Sequence, residues 1–468
     1  MTAARHAMPI LVGVDIGTAR IKALGLGLGG EELAQVEHPT PWLRNGSGAE
    51  MDPAELASVI LASVAAIPLE AARAGHDSVQ VVAVGLAGMA EAGVLVDELG
   101  RPLGRILAWH DSRGDVDRVR REIGEDLFHR AVGMHLDTQP SLPKILWLQR
   151  QSGLARSAVR FLSLPEWGVR CLGGDAVSEL SLASRTGLLD LGAVAPFEAA
   201  VALIGRNLLC ELVVAGTAAG TAGGDGVPAS VRGAVLTVAG HDHQVGALAV
   251  GAARPGALFD SMGTAEALVR CVDGALDPAV VGRLAAQGTT AGWGVVPGCY
   301  TVMEGLRTGL VLERVAALLG AHDRAARKLL GEQALAVDTA GIPPGVVVGD
   351  ADAEPVLGPF ADGLAPAAIW AGIVRDLTAA SARRLARIAS EVGPHEHVTI
   401  AGGWTSNPAV LAEKRRQFGE IAISDLREAG ATGAAQLAGV AAGVVEPQET
   451  RAAPWSERRA PRANSEVS

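Results

Sequence analysis

Runs of apolar residues along the chain switch between an unbroken or alternating pattern and a helical one. ILVGV (10–14) is a short buried strand, DIGT (15–18) a polar turn, and IKALGLGL (21–28) a second strand that ends at Gly29–Gly30. Asp52–Ala74 then takes the helical period, with Asp52 as N-cap and Pro53 at the first helical position. Strands are predicted again at Val79–Leu86 and at Gly93–Leu99, the latter running into a Gly100–Arg101 turn. A second start appears at Ala234–Ala239, a strand that ends at Gly240-His241-Asp242 and leads into a helix over 243–251. Ala257–Asp260 is a strand, SMGT (261–264) a turn, and ALVRCV (267–272) another strand. Thr301–Gly320 and Ile369–Val392 read as helices, and Val398–Ala401 as a strand entering Gly402-Gly403. Alternating strands and helices predict an α/β fold. The DIGT and SMGT turns sit in like settings half a chain apart, which predicts two related lobes rather than a tandem array.

Composition narrows the function. At about 100–200 residues per domain, 468 residues make two or three domains. With 49% hydrophobic and 19% charged residues, the chain is not disordered. Forty Lys and Arg against 51 Asp and Glu leave a net charge of −11, with Arg scattered, so no nucleic-acid partner is expected. Four cysteines lie far apart, which excludes a zinc ribbon and argues against a disulfide scaffold. The start MTAARHAMPI lacks the apolar stretch of a signal peptide, and Ala429–Val445 is too short to span a bilayer. The expectation is a cytoplasmic chain with no membrane partner; a homodimer is left open. Common catalytic motifs are missing: none of the four lysines follows Gly, no Ser has Gly two residues before it, and H-E-x-x-H does not occur.

Five short motifs remain. Gly25-x-Gly27-x-x-Gly30 matches a dinucleotide fingerprint in letters only, because the glycines end a strand instead of opening a helix. In Asp15-Ile16-Gly17-Thr18, a Gly-containing turn can aim backbone N–H groups at phosphate, Thr adds a hydroxyl, and Asp can hold Mg²⁺ through water. Ser261-Met262-Gly263-Thr264 has the same form, and two such turns can clamp a polyphosphate. Asp242 stands where a strand ends and a helix begins, an edge at which α/β folds place their sites; an N-cap role is the plainer alternative. His241 and His243 flank it without a third and fourth metal ligand. Trp109, Asp111 and Arg113 alternate, so in an extended segment they offer an aromatic face and hydroxyl partners on one side.

Taken in order over residues 10–445, these elements resemble the FGGY family of carbohydrate kinases, of the actin/Hsp70/hexokinase-type ATPase superfamily. VGVDIGTARIKAL is similar to its first phosphate motif, WHDSR to its sugar segment, AGHDHQVGALAVG to its catalytic segment and DSMGTAEAL to its second phosphate motif. AGGWTSNP and EAGATGAAQLAGVAAG resemble the adenosine-binding end. The resemblance implies an α/β fold of two actin-like (ribonuclease H-like) lobes with a cleft between them. Residues 10–247 would form the N-terminal domain and 248–445 the nucleotide-binding C-terminal domain, with tails at 1–9 and 446–468. It also implies ATP and Mg²⁺ as cofactors and transfer of the γ-phosphoryl group to a hydroxyl of a small sugar, a ketopentose such as xylulose first. The alternatives are a polyol kinase of the erythritol or glycerol type and a catalytically inactive binding regulator.

By position, Asp242 matches the catalytic base. Asp15, Gly17 and Thr18 match the Mg²⁺/phosphate loop, Gly263 and Thr264 the second turn, and Gly309 a glycine under the phosphates. Gly402, Gly403, Ser406 and Asn407 match the adenosine pocket. Glu91, Trp109, Asp111 and Gln139 would grip the sugar together with Asp242. The chain also departs from the pattern. The G-E-R-x-P element survives only as Asp352-Ala353-Glu354-Pro355, and the segment near Gln417-Phe418-Gly419 is altered. Glu91 stands where xylulokinases carry His. Glycerol kinases have Glu there, preceded by Arg, but here the neighbour is Ala90, and Gln139 replaces an aromatic. With no guanidinium beside Glu91, the expectation is a polyol or ketopentose with several adjacent hydroxyls, and poor use of glycerol.

Overall fold

The computed structural model describes residues 7–46, 48–76, 78–224, 226–347, 356–358 and 363–447. The Asp352–Pro355 element and the tail beyond 447 lie outside the described residues. The first lobe is built on a six-stranded sheet: β1 (Met8–Ile16), β2 (Arg20–Gly27), β3 (Glu32–Pro39), β4 (Val79–Gly88), β5 (Ala218–Thr221) and β6 (Val235–His241), in the order β5-β6-β4-β1-β2-β3. β1, β4 and β6 run parallel, and β2 returns antiparallel to β1. Ile10, Val12, Val14 and Ile16 are fully buried, as an unbroken apolar strand covered on both faces should be.

The second lobe repeats the plan. β7 (Ala257–Met262), β8 (Glu266–Asp273), β9 (Thr290–Trp293), β10 (Cys299–Leu306), β11 (His397–Ala401) and β12 (Ile421–Ile423) form a sheet in the order β9-β10-β8-β7-β11-β12. β7 and β8 are an antiparallel hairpin, and β11 runs parallel to β7, matching β1, β2 and β4. The two predicted turns therefore occupy equivalent hairpins.

Several boundaries move. Asp15 and Ile16 belong to β1, and Ser261 and Met262 to β7, so only 17–19 and 263–265 turn. Strand Gly93–Val96 stops short because Asp97 Oδ1 accepts the N–H groups of Leu99 and Arg101 and folds the chain back. Thr301–Leu306 is not helical: it lies in β10, between β8 and β9, and the helix is confined to Thr308–Leu318. Val302, Met303 and Glu304 are buried in succession, and such a run carries no alternation to mark it as a strand. Gly25 and Gly27 lie within β2 and lead into β3, so no helix follows the apparent fingerprint.

Two helices cover the first sheet. Pro53–Arg73, capped by Asp52 as predicted, sets Leu56, Ile60, Val64 and Ile67 against it. This helix is apolar and long enough to cross a membrane by length and composition alone, and one face of it is buried on the sheet. The opposite face takes Ala429–Ala441, which arrives from the far end of the chain. It lies so close that a Cβ on Gly13 would stand 1.8 Å from Ala431 O, and one on Gly85 2.1 Å from Ala434 O. Gly433 in turn admits Val245 O of the helix Asp242–Ala249; a Cβ there would lie 2.3 Å away.

Gly13→Ala should therefore destabilise the protein by at least about 3 kcal/mol, the upper end of ordinary overpacking, because backbone and not a movable side chain is in the way. Gly104→Ala, where nothing lies within 4 Å, should change stability by less than about 0.5 kcal/mol. Urea unfolding midpoints test the pair, and equal midpoints would contradict the close approach.

Candidate active site

Two carboxylates meet where the first sheet ends. Asp15, at the end of β1, lies under the first turn of Ala429–Ala441: a Cβ on Gly430 would come within 2.5 Å of Asp15 Oδ2. Asp15 Oδ1 is buried without a hydrogen-bond partner. Burial, and then the negative charge of Asp242, push the Asp15 carboxyl up to about 8; Lys22 offsets this in part, and Glu428 adds to it. Lys22 is itself held by Glu428 at 2.6 Å.

Asp242 follows β6 as the first residue of its helix, not as the N-cap, which is His241. Gly240 (φ +111°) makes the corner: a Cβ there would strike Ser181 Oγ and Val295. His241 N–H donates to Ser181 Oγ at 3.0 Å, and Ser181 donates to Glu179 at 2.6 Å, which fixes the corner from below. Burial works against a charge on Asp242. His243, the His243 N–H (2.7 Å) and Arg185 outweigh it and hold the carboxyl below its usual range. Burial pushes the His241 imidazole down to about 3, so its 3.1 Å contact with Asp242 is with a neutral ring. Asp242 is thus ionised and reachable, its side chain 19% exposed.

An unpartnered buried carboxylate oxygen beside a second carboxylate fits a hard divalent cation, which takes oxygen ligands and is commonly held by one or two carboxylates plus phosphate. Asp15 is the residue that would hold it.

The first turn is locked from inside the lobe. Gly17 N–H donates to Arg20 O, Trp42 Nε1 donates to Thr18 O at 2.8 Å, and Trp109 Nε1 donates to Thr18 Oγ1 at 3.0 Å. In the second turn Gly263 N–H donates to Ala265 O and Thr264 is exposed. Among the described residues the N–H groups of Thr18 and Thr264 have no protein acceptor, so each turn presents a free donor at its tip. Gly309 packs directly beneath the second turn, where a Cβ would lie 2.0 Å from Gly263 O. Buried Lys414 pairs with Asp260 (2.7 Å) and with Glu266 on the two arms of this hairpin, and Thr308 donates to Glu266.

Glu91 is buried and adopts φ +62°, a left-handed conformation that costs a non-glycine residue. The expectation that no guanidinium lies beside it is wrong. Arg185, 94 residues away in sequence, donates from Nε to Glu91 Oε1 at 2.7 Å and from Nη2 to the same oxygen. Gln139 Nε2 joins them at 3.2 Å, and Ser141 Oγ holds Glu91 O. No local motif marked Arg185; only the fold brings it here. Buried Lys144 donates to the carbonyls of Trp109, Thr138 and Gln139, which ties the loops carrying Trp109 and Gln139 together. Asp111 is fully buried: it accepts from Ala49 N–H and forms a two-pronged pair with Arg113, so its side chain braces the loop that presents Trp109.

At the other end of the site, Gly402 (φ +112°) lies against β7, where a Cβ would stand 2.4 Å from Met262 O. The turn Gly403–Ser406 follows, with Ser406 Oγ donating to Gly403 O. Asn407 is buried as the N-cap of helix Pro408–Phe418 and donates to Arg327 O at 2.8 Å, so its side chain shapes this turn from below. Small residues in Ala429–Ala441 serve the close packing on the first sheet. Thus Asp15, Thr18, Trp109, Gln139, Glu91 and Asp242 gather on the first lobe, and Gly263, Gly309 and Gly402 on the second.

The Asp15 pair has a consequence for stability. Its carboxyl is raised above the unfolded value, so the folded protein keeps a proton that the unfolded chain loses as pH climbs. Stability falls between about pH 4 and pH 8 on this account. Asp15→Asn escapes the loss and should melt higher than the parent at pH 8, with the gap closing toward pH 4; thermal melting without added nucleotide or metal measures it. Equal melting at pH 8 would show that Asp15 carries no such burden.

The sequence model of the FGGY family of carbohydrate kinases, N-terminal domain, matches residues 10–249. A glycerol kinase of Citrifermentans bemidjiense is 30% identical over 275 residues, 56% of this chain and 54% of that protein. A xylulose kinase of Streptomyces coelicolor is 28% identical over 324 residues, 67% of this chain and 63% of that protein. The aligned parts thus span about half to just under two thirds of these relatives. Among solved structures, Plasmodium falciparum glycerol kinase with ADP superposes with a TM-score of 0.82 at 16% identity, covering 95% of this chain and 93% of that one, and shares the fold of two actin-like lobes. With a family match over more than half its length, the chain belongs to the FGGY family of carbohydrate kinases.

Proposed function

We propose that this chain is an ATP-dependent kinase that transfers the γ-phosphoryl group to a hydroxyl of a small sugar, with a ketopentose such as xylulose as first candidate, in the cytoplasm. The observation that carries the reading is the contrast between the two carboxylates. Asp242 is ionised and accessible, as a proton acceptor must be; Asp15 is buried and unpartnered, as a residue awaiting a cation would be.

In this reading the substrate hydroxyl hydrogen-bonds to Asp242, which takes the proton as the oxygen attacks phosphorus. Bound at Asp15, Mg²⁺ supplies charge neutralisation for the phosphates. The free N–H groups at Thr18 and Thr264, with the Thr264 hydroxyl, steady the transferring oxygens from opposite lobes. Gly402, Gly403 and Ser406 lie on the nucleoside side, and Gly309 keeps the second turn close to its helix. Glu91, Gln139 and Trp109 orient the sugar, and Asp111 acts through its loop. A catalytically inactive regulator would have no use for an ionised Asp242. The Arg185–Glu91 pair favours a second reading within the same chemistry, a polyol of the glycerol or erythritol type, because carboxylate and guanidinium together match hydroxyls without a carbonyl.

Asp242→Asn keeps size and hydrogen bonding but cannot accept the proton. It should lower kcat by about 10²–10⁴-fold with nucleotide affinity unchanged. A variant that keeps more than about a tenth of the parent kcat would remove Asp242 from the role of base.

A further inference from the structure

One buried group near Asp242 keeps hydrogen-bonding capacity that the fold does not use. Arg185 follows the short helix Leu180–Ala183 and is 6% exposed. Its Nε and Nη2 both donate to Glu91 Oε1, where Gln139 Nε2 also donates. Three donors thus crowd one carboxylate oxygen, and none among the described residues reaches Oε2. On its other side the guanidinium ends in Nη1, buried and without an acceptor. A charged donor buried unpaired is costly, so such a group in a native fold calls for a missing partner. The Arg185 charge acts on both Asp242 and His241, which puts the guanidinium within electrostatic reach of the reacting carboxylate. Glu91 holds its left-handed backbone to meet this arrangement.

We propose that Arg185 and Glu91 form a charge-neutral donor–acceptor pair that reads adjacent hydroxyls of an uncharged substrate. One hydroxyl donates to Glu91 Oε2, and the oxygen of its neighbour accepts from Arg185 Nη1. This rests on the kinase reading above and makes Arg185 a specificity-determining residue. The pair also selects against sugar acids. Arg185 is already neutralised by Glu91, Asp242 adds negative charge, and Lys144 spends its donors on three backbone carbonyls. A substrate carboxylate would find no uncommitted cation among them.

The test compares kcat/KM of the parent, Arg185→Gln and the double variant Glu91→Gln/Arg185→Gln on xylulose, erythritol, glycerol and gluconate, with the KM for ATP and thermal melting recorded for each. The parent should use neutral diols at least about 100-fold better than gluconate. Arg185→Gln should lose about 10- to 100-fold on the best diol, the range for a hydrogen bond to a charged group, with the ATP KM unchanged. A deoxy analogue lacking one adjacent hydroxyl should be penalised in the parent but hardly further in Arg185→Gln, a coupling that a purely structural role would not produce. The double variant removes both charges; should Arg185→Gln fail to fold, it must show the same indifference to the missing hydroxyl. Gluconate used as well as the neutral diols, or a folded variant within threefold of the parent on the best diol, overturns the proposal. No phosphorylation of any alcohol by the parent would instead overturn the kinase reading on which it rests.

Discussion

The site depends on how closely helix Ala429–Ala441 lies on the first sheet. Backbone touches backbone there because Gly13, Gly85 and Gly433 have no Cβ, and one added Cβ would fall 1.8–2.3 Å from a carbonyl oxygen. This seam sets Gly430 against Asp15 and Val245 of the Asp242 helix against Gly433, so it fixes Asp15 and Asp242 from one side. The exchange runs both ways. Helix Asp242–Ala249 starts on the first sheet and fastens to the second lobe through Gln244, which accepts from Val295 N–H and the Thr301 hydroxyl. Each lobe is braced by a helix tied to the other.

Charge pairs brace the second lobe: Lys414 with Asp260 and Glu266, Arg384 and Arg387 with Glu304. Truncating one partner of such a pair strands the other charge, so these networks hold their elements rigid. Near Asp242, Asp15 Oδ1, Arg185 Nη1 and Glu179 Oε1 are buried without hydrogen-bond partners. Such atoms also occur in the second lobe, at Asp260 Oδ1, Arg270 Nε and Arg387 Nε, so it is their place near Asp242 that makes these groups candidates for completion by a ligand.

Much of this was legible in the sequence because it depends on local order. The two hairpin turns, the Asp242 corner and the Asp52-capped helix are each written in a few consecutive residues. The strand at Cys299–Leu306 was not, because a strand buried on both faces has no alternating period. Arg185 was invisible for a different reason. Its meaning lies in a contact with Glu91 across 94 residues, and the neighbour that sequence reasoning inspected, Ala90, was the wrong place to look for a guanidinium. The small residues of Ala429–Ala441 were visible as a pattern, but their use, closeness to Gly13 and Gly85, exists only in three dimensions.

The central claim is that this arrangement couples nucleotide cleavage to an alcohol. The most direct measurement is ADP formation from Mg·ATP with and without xylulose or erythritol, with the phosphate ester followed by phosphorus NMR. The account predicts ADP release that rises at least about 100-fold when the right alcohol is present and yields one sugar phosphate per ADP, because in the proposed role Asp242 takes the proton of a bound hydroxyl. ADP release at the same rate without any alcohol, or with no phosphate ester formed, would contradict it.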